Sequence, residues 1–181
     1  TGAKLRARSI ENIVTEILLL YNEYGAREFQ IVDDNFTFKK DFVVKFCNRI
    51  IGLDLDIAFS LPNGMRLDTL DEELLKLMER AGFYSAAVGI ESGSNRVLQL
   101  MKKKLTKETV KERTDLIKRC TDMSITGFFL LGYPGETKEE IEESIRFAKS
   151  LSIDKVSFMF VMPLPGSPLW DRPMPVCSLS C

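Results

Sequence analysis

The chain has 181 residues, 45% of them hydrophobic, and its acidic and basic side chains nearly cancel to a net charge of −1. That is enough apolar material for one domain with a core, and the balanced charge gives no sign of a nucleic-acid partner or an anionic membrane. Histidine is absent, which excludes Ser-His-Asp and Cys-His catalysis and the commonest metal ligand.

Ser9 is placed to cap a helix running to about Tyr24, with Ile10, Ile13, Val14, Ile17, Leu18 and Tyr21 on one face and Gly25 as its stop. Glu28 to Val32 reads as a strand. Phe42, Val43, Phe46, Cys47, Ile50 and Ile51 give a second helix before Gly52. Ile57 to Leu61 reads as a strand that breaks at Pro62-Asn63-Gly64. Thr69-Leu-Asp-Glu72 has the spacing of a capping box for a third helix through Ala81. A strand over Ser85–Ile90 follows, then a short helix around Asn95–Met101 and a long one from Lys107 to about Met123. Ile125–Leu131 reads as a strand. Thr137-Lys-Glu-Glu140 is a second capping box, for a helix with Ile141, Ile145, Ala148 and Leu151 on one face. Lys155 to Val161 is the last strand. Strands alternating with helices imply parallel pairing with right-handed crossovers, in a barrel or a doubly wound sheet. Runs such as Ala86-Ala-Val and Phe128-Phe-Leu-Leu are expected to be buried on both faces.

The apolar runs are far too short to span a membrane. The chain starts at Thr1 and opens on a helix, so it is read as a piece of a longer cytoplasmic protein, with one strand of the fold expected before Thr1. Residues 1–170 are expected to form one domain. Residues 171–181 lose the pattern and are expected to be a disordered or non-native tail. Of four cysteines, Cys47 and Cys120 fall on apolar helix faces as small core residues, and Cys177 and Cys181 lie in the tail.

Function is concentrated where strands end in polar clusters, the edge at which α/β sheets and barrels build ligand sites. Asp33-Asp-Asn35 can accept hydrogen bonds from an amino group, or form an Asx turn. Gly89-Ile-Glu-Ser-Gly-Ser94 offers a carboxylate and two hydroxyls for ribose or ammonium groups, or a cap for the next helix. Gly132-Tyr-Pro-Gly-Glu136 can let a flat ring approach the backbone, or serve as a plain strand-to-helix turn. Pro163-Leu-Pro-Gly166 can present backbone groups to a base, or simply end the strand. Lys102, Lys103 and Lys104 read as a solvated run with one member available to an acidic ligand group, and Arg66 reads as a surface residue.

Taken in order, Arg8-Ser-Ile-Glu11, Asp33-Asp-Asn-Phe-Thr37, Arg66-Leu-Asp68, Gly89-Ile-Glu-Ser-Gly-Ser94, Gly132-Tyr-Pro-Gly-Glu-Thr137 and Pro163-Leu-Pro-Gly-Ser-Pro168 resemble the radical S-adenosylmethionine superfamily, from Leu5 to about Trp170. The resemblance is nearest to members that often carry a cobalamin-binding domain and to methylthiotransferases. It implies a partial (β/α)6 TIM-like barrel of parallel strands, here without its first strand. It also implies S-adenosylmethionine across the carboxyl ends of the strands, near Asp33, Asp34 and Asn35 at the methionyl amino group. Glu91 and Ser92 would face ribose or methionine, and Lys103 a carboxylate. Gly132, Pro134, Gly135 and Glu136, with Met162 and Pro163, would border the adenine.

The same resemblance implies a 4Fe-4S cluster held by a CxxxCxxC motif, which this chain does not contain, so no metal ligand and no catalytic residue is assigned. Ser124 stands where relatives usually carry Gly. The parent protein is expected to cleave S-adenosylmethionine reductively at the cluster and to modify its substrate by radical chemistry, with the difficult step belonging to the cofactor. Cobalamin is a candidate further cofactor, and flavodoxin or ferredoxin a candidate electron donor. The alternative is a non-catalytic S-adenosylmethionine or nucleotide-binding module. A Schiff-base aldolase is disfavoured because no strand carries a Lys at its carboxyl end.

Overall fold

The computed structural model describes residues 7–33, 35–167 and 169–170. Five strands form one parallel sheet whose spatial order equals their order in the chain: β1 (Glu28–Gln30), β2 (Ala58–Met65), β3 (Phe83–Glu91), β4 (Ser124–Leu131) and β5 (Lys155–Phe160). The helices are α1 (Ile10–Tyr24), α2 (Lys40–Ile51), α3 (Glu72–Arg80), α4 (Asn95–Leu100), α5 (Lys107–Cys120) and α6 (Lys138–Ser150), with 3-10 turns at Phe36–Phe38 and Leu67–Thr69. This is the expected α/β alternation in an open, barrel-like sheet.

Several helix ends follow directly from the sequence. The Ser9 side chain accepts from the Asn12 amide, and Gly25 closes α1 in the left-handed conformation at φ 67°. Thr137 and Glu140 form the reciprocal capping box of α6. Thr69 does not cap α3. Its hydroxyl donates to the Arg66 carbonyl at 2.8 Å, and Asp71 caps instead, accepting from the Leu74 amide at 2.9 Å.

Strand β2 continues through Pro62-Asn63-Gly64 rather than breaking there. Pairing to β3 resumes at Met65 opposite Val88 after a register shift, and Gly64 absorbs the irregularity at φ 110°. The Phe128–Leu131 run is not buried on both faces. In β4, Ile125 and Phe129 are buried in the core, whereas Thr126, Phe128 and Leu130 are half-buried on the other face, because helices cover the sheet on one side only. On α6, the half-exposed Ile145 leaves the contact to Ser144 and Ala148. A Cβ added at Gly93 would lie 2.6 Å from the Ser144 Cα, so the helix docks on its small residues.

The core centres on Phe36, Phe46, Phe59 and Phe83, between α2 and the sheet, with Phe59 and Phe83 stacked at 5.2 Å. Leu74, Leu75 and Met78 of α3 and Val110 and Ile117 of α5 complete it. Cys47 is fully buried, while Cys120 is half-buried. On β5, Val156, Phe158, Met159 and Phe160 are exposed. The tail 171–181 lies outside the described residues. Among the described residues no helix is long and apolar enough to cross a membrane.

Candidate functional site

The carboxyl ends of β2 and β3, part of β5, and the lysine-rich turn after α4 enclose a cleft of about 600 Å³. The chain reaches it through strand alternation: Gly89 pairs with Phe128 in register, so both lie on the sheet face away from the helices, and both line the cleft. Glu91, the last residue of β3, holds φ 73°, and its carboxylate accepts from the Lys103 ammonium at 2.7 Å. A Cβ at Gly89 would come within 3.0 Å of the Glu91 carboxylate, so glycine there gives that side chain its space.

The opposite wall is set by the register shift in β2. Asn63 donates from Nδ2 to the Val32 carbonyl at 2.9 Å, tying the segment after β1 to the bulge. Arg66 donates its backbone amide to the buried Thr37 hydroxyl at 3.2 Å, and its guanidinium grips both oxygens of Asp68. The guanidinium holds the Asp68 carboxyl below the usual carboxylate range. Asn35 lines this cleft and also an adjoining apolar groove of about 580 Å³ over Phe29, Phe38 and Phe42. Its Oδ1 is buried with no hydrogen-bond partner among the described residues. Such an acceptor is satisfied when a ligand donor reaches it.

A second polar network stands behind the first. Glu140 of α6 accepts from the Ser94 hydroxyl at 2.9 Å, the Arg96 Nε at 2.8 Å and the Thr137 amide at 3.0 Å. Arg96 also donates to the Gly135 carbonyl at 2.6 Å, which fixes the Gly-Tyr-Pro-Gly turn after β4. The Arg96 guanidinium beside it lowers the Glu140 carboxyl to about 2. In the turn, Glu136 accepts from the Gly132 and Tyr133 amides through Oε2, while its Oε1 is buried without a partner among the described residues. Burial pushes this carboxyl up, against the pull of the two amides.

The structure therefore brings Asn35, Glu91 and Lys103 to one cleft. Asp33 faces the apolar groove and accepts from the Asn35 amide at 3.4 Å, an Asx turn, and Asp34 lies outside the described residues. Ser92 does not face the cleft. It is fully buried, and its hydroxyl bonds with Ser144 at 3.2 Å and accepts from the Ser94 amide, so its work is to join β3 to α6. Gly132, Pro134, Gly135 and Glu136 form the turn that follows β4 and are not in the cleft's lining. Met162 is exposed and Pro163 half-buried beyond β5, and neither lines the cleft. Sequence reasoning assigned no ligand contact to Asn63, Arg66, Asp68, Phe128 or Met159. Only the Arg66-Leu-Asp68 spacing carried a signal, since a guanidinium and a carboxylate two residues apart can pair.

The family model of the radical SAM superfamily matches residues 1–148. The chain belongs to the radical SAM superfamily. An uncharacterized methyltransferase of Pyrococcus horikoshii is 34% identical over 172 residues, covering 94% of this chain and 36% of the relative. The cytidylyl-2-hydroxyethylphosphonate methyltransferase of Streptomyces wedmorensis is 38% identical over 177 residues, covering 93% and 32%. Among solved structures, the radical S-adenosylmethionine methyltransferase TsrM from Kitasatospora setae, with cobalamin and a [4Fe-4S] cluster bound, superimposes with TM-score 0.75 at 18% identity over 87% of this chain and 32% of that one. The chain spans about a third of the length of these proteins.

Radical SAM proteins are enzymes that use S-adenosylmethionine and a 4Fe-4S cluster. The cleft fits the first of these: an orphaned amide oxygen and a carboxylate match the amino and hydroxyl donors of a methionyl nucleoside. The described residues do not fit the second. They contain no group of three or more His, Cys, Asp or Glu able to hold a metal. Cys47 is sealed in the core with its thiol pushed up to about 12, and Cys120 lies on α5. Cys177 and Cys181 fall outside the described residues.

Proposed function

We propose that this chain forms the S-adenosylmethionine cradle of a radical SAM methyltransferase and that the cofactor lies in the cleft beside Asn35 and Glu91. The observation that carries this reading is the buried, unpartnered Asn35 Oδ1 in the same cleft as the Glu91–Lys103 pair, at the carboxyl edge of a parallel sheet. Asn35 accepts from the methionyl amino group. Glu91 accepts from ribose hydroxyls, and Lys103 holds the Glu91 carboxylate in place. The adenine would reach beyond the cleft lining to the turn from Gly132 to Glu136, with Pro134 and Gly135 inside it, and to Met162 and Pro163. When bound, S-adenosylmethionine and the cluster supply the reactive group, and this chain's residues bind and orient it.

Methyl transfer as the reaction class is supported by the two methyltransferases among its relatives. Cobalamin as a further cofactor of the whole protein, an electron donor such as flavodoxin or ferredoxin, and a cytoplasmic location belong to the same reading. The test is equilibrium dialysis of S-adenosylmethionine against the full-length protein. Wild type is expected to bind, and Glu91→Ala to bind about tenfold more weakly, the loss of one charge-assisted hydrogen bond. A wild type that does not bind S-adenosylmethionine overturns the reading.

The alternative reading is an S-adenosylmethionine or nucleotide-binding module without a cluster. Iron and sulfide analysis of the same full-length preparation separates the two, because only the enzyme carries about four of each per chain.

A further inference from the structure

Three consecutive lysines follow α4, and a run of this kind is usually solvated surface. Here all three line the cleft. Lys103 is occupied by Glu91, and Arg66 by Asp68. Lys102 and Lys104 make no ion pair and no side-chain hydrogen bond among the described residues, although Lys104 is near enough to Asp68 to help hold its carboxyl low. Lys102 is also strained. Among the described residues, only three non-glycine residues hold positive φ: Asp54, Glu91 at 73° and Lys102 at 56°. Two of the three are charged residues of this one cleft. Left-handed backbone at a residue with a Cβ costs on the order of 1–3 kcal/mol and collects at ligand sites. A helix-ending turn needs such a conformation, and glycine supplies it free of strain, so a lysine there is retained at a cost.

Four cations line the cleft against two carboxylates, Asp68 and Glu91, and both carboxylates are already paired. The surplus is two ammonium groups on one rim. A single carboxylate leaves one of them unmatched. A phosphate monoester carries close to two negative charges at pH 7, an unesterified phosphonate has the same two ionisable oxygens, and Lys meets such groups as a point charge. We infer that Lys102 and Lys104 form a subsite for a dianionic phosphate or phosphonate group on the enzyme's second substrate, beside the cofactor. This rests on the cofactor lying in the same cleft.

The test uses the full-length protein with phenyl phosphate as probe and benzoate as the monoanionic control, each titrated by calorimetry at pH 8 and low salt. S-adenosylmethionine is titrated separately. The variant is Lys102→Gly with Lys104→Ala. Glycine suits the backbone at 102, and both side chains are exposed, so folding is preserved. Phenyl phosphate is expected to bind wild type more tightly than benzoate, and to bind the double variant about tenfold more weakly or worse. S-adenosylmethionine affinity is expected to stay within about twofold. Four results overturn the inference: no binding of phenyl phosphate to wild type, equal binding of benzoate, an unchanged phenyl phosphate affinity in the variant, or a parallel loss of S-adenosylmethionine affinity. The last assigns the lysines to the cofactor's own carboxylate. Wild type that binds phenyl phosphate through these lysines but not S-adenosylmethionine keeps the anion subsite and overturns the cofactor assignment instead.

Discussion

Replacing Glu140 tests the polar network that holds the turn after β4. Its side chain is 14% exposed and joins two elements, α4 through its cap Ser94 and through Arg96, and the first turn of α6. The carboxyl lies at about 2, against an ordinary value of 4.5. At 1.36 kcal/mol per unit that depression caps the electrostatic contribution at about 3 kcal/mol. Arg96 is 52% exposed, and solvent screening reduces the figure to about 1–2 kcal/mol. Because the folded value is depressed, the stabilisation is complete above about pH 5 and is lost as pH falls toward 2. Glu140→Ala should raise hydrogen exchange of the first α6 amides and of the turn near Gly135 about 5- to 30-fold at pH 7, the ratio that 1–2 kcal/mol implies. Glu140→Gln keeps an acceptor for Ser94 and Thr137 and should recover part of the loss. The contrast between wild type and Glu140→Ala should shrink steadily below pH 4. Exchange in Glu140→Ala that matches wild type at pH 7, or a difference that persists unchanged at pH 3, refutes this account of the clamp.

Gly93→Ala should cost about 1–3 kcal/mol, because the new Cβ meets the backbone of α6, whereas Gly127→Ala meets only the movable ends of Ile90 and Ile153 and should cost less. Chemical denaturation of the two variants side by side checks the order. Cys47, fully buried with a thiol near 12, should resist iodoacetamide at pH 8 in the folded protein and react once unfolded, as peptide mass mapping would report.

What the sequence made legible was local. Ser9, Gly25 and the Thr137–Glu140 box fix helix ends through contacts within five residues of chain, so the pattern alone suffices. The misread points were settled by distant partners. Pro62-Asn63-Gly64 carries every signal of a strand end, yet the pairing of Met65 with Val88 extends β2 beyond it. Thr69 has cap spacing, but its hydroxyl is taken by the Arg66 carbonyl and by Thr37, 32 residues away. The same holds at the site. Glu91 and Asn35 were legible as polar residues at strand ends. That Ser92 turns into the protein depends on Ser144, 52 residues later, and no local pattern records it. The cations were visible as a run of charge. Which of them are spoken for became clear only when Glu91 and Asp68 were placed.

Because spatial order in the sheet equals chain order, each strand pairs with the strand made just before it. The separations run from 23 residues, Met65 to Val88, to 39, Ser85 to Ser124. A ribosome adding about 5–20 residues per second delivers the next pairing partner within about 8 s. No strand waits for a distant segment, and none must be inserted between two already joined. The nascent chain can therefore build the sheet by growth at one edge, and Glu91 and the lysines after α4 emerge onto a wall whose β1 and β2 are already complete.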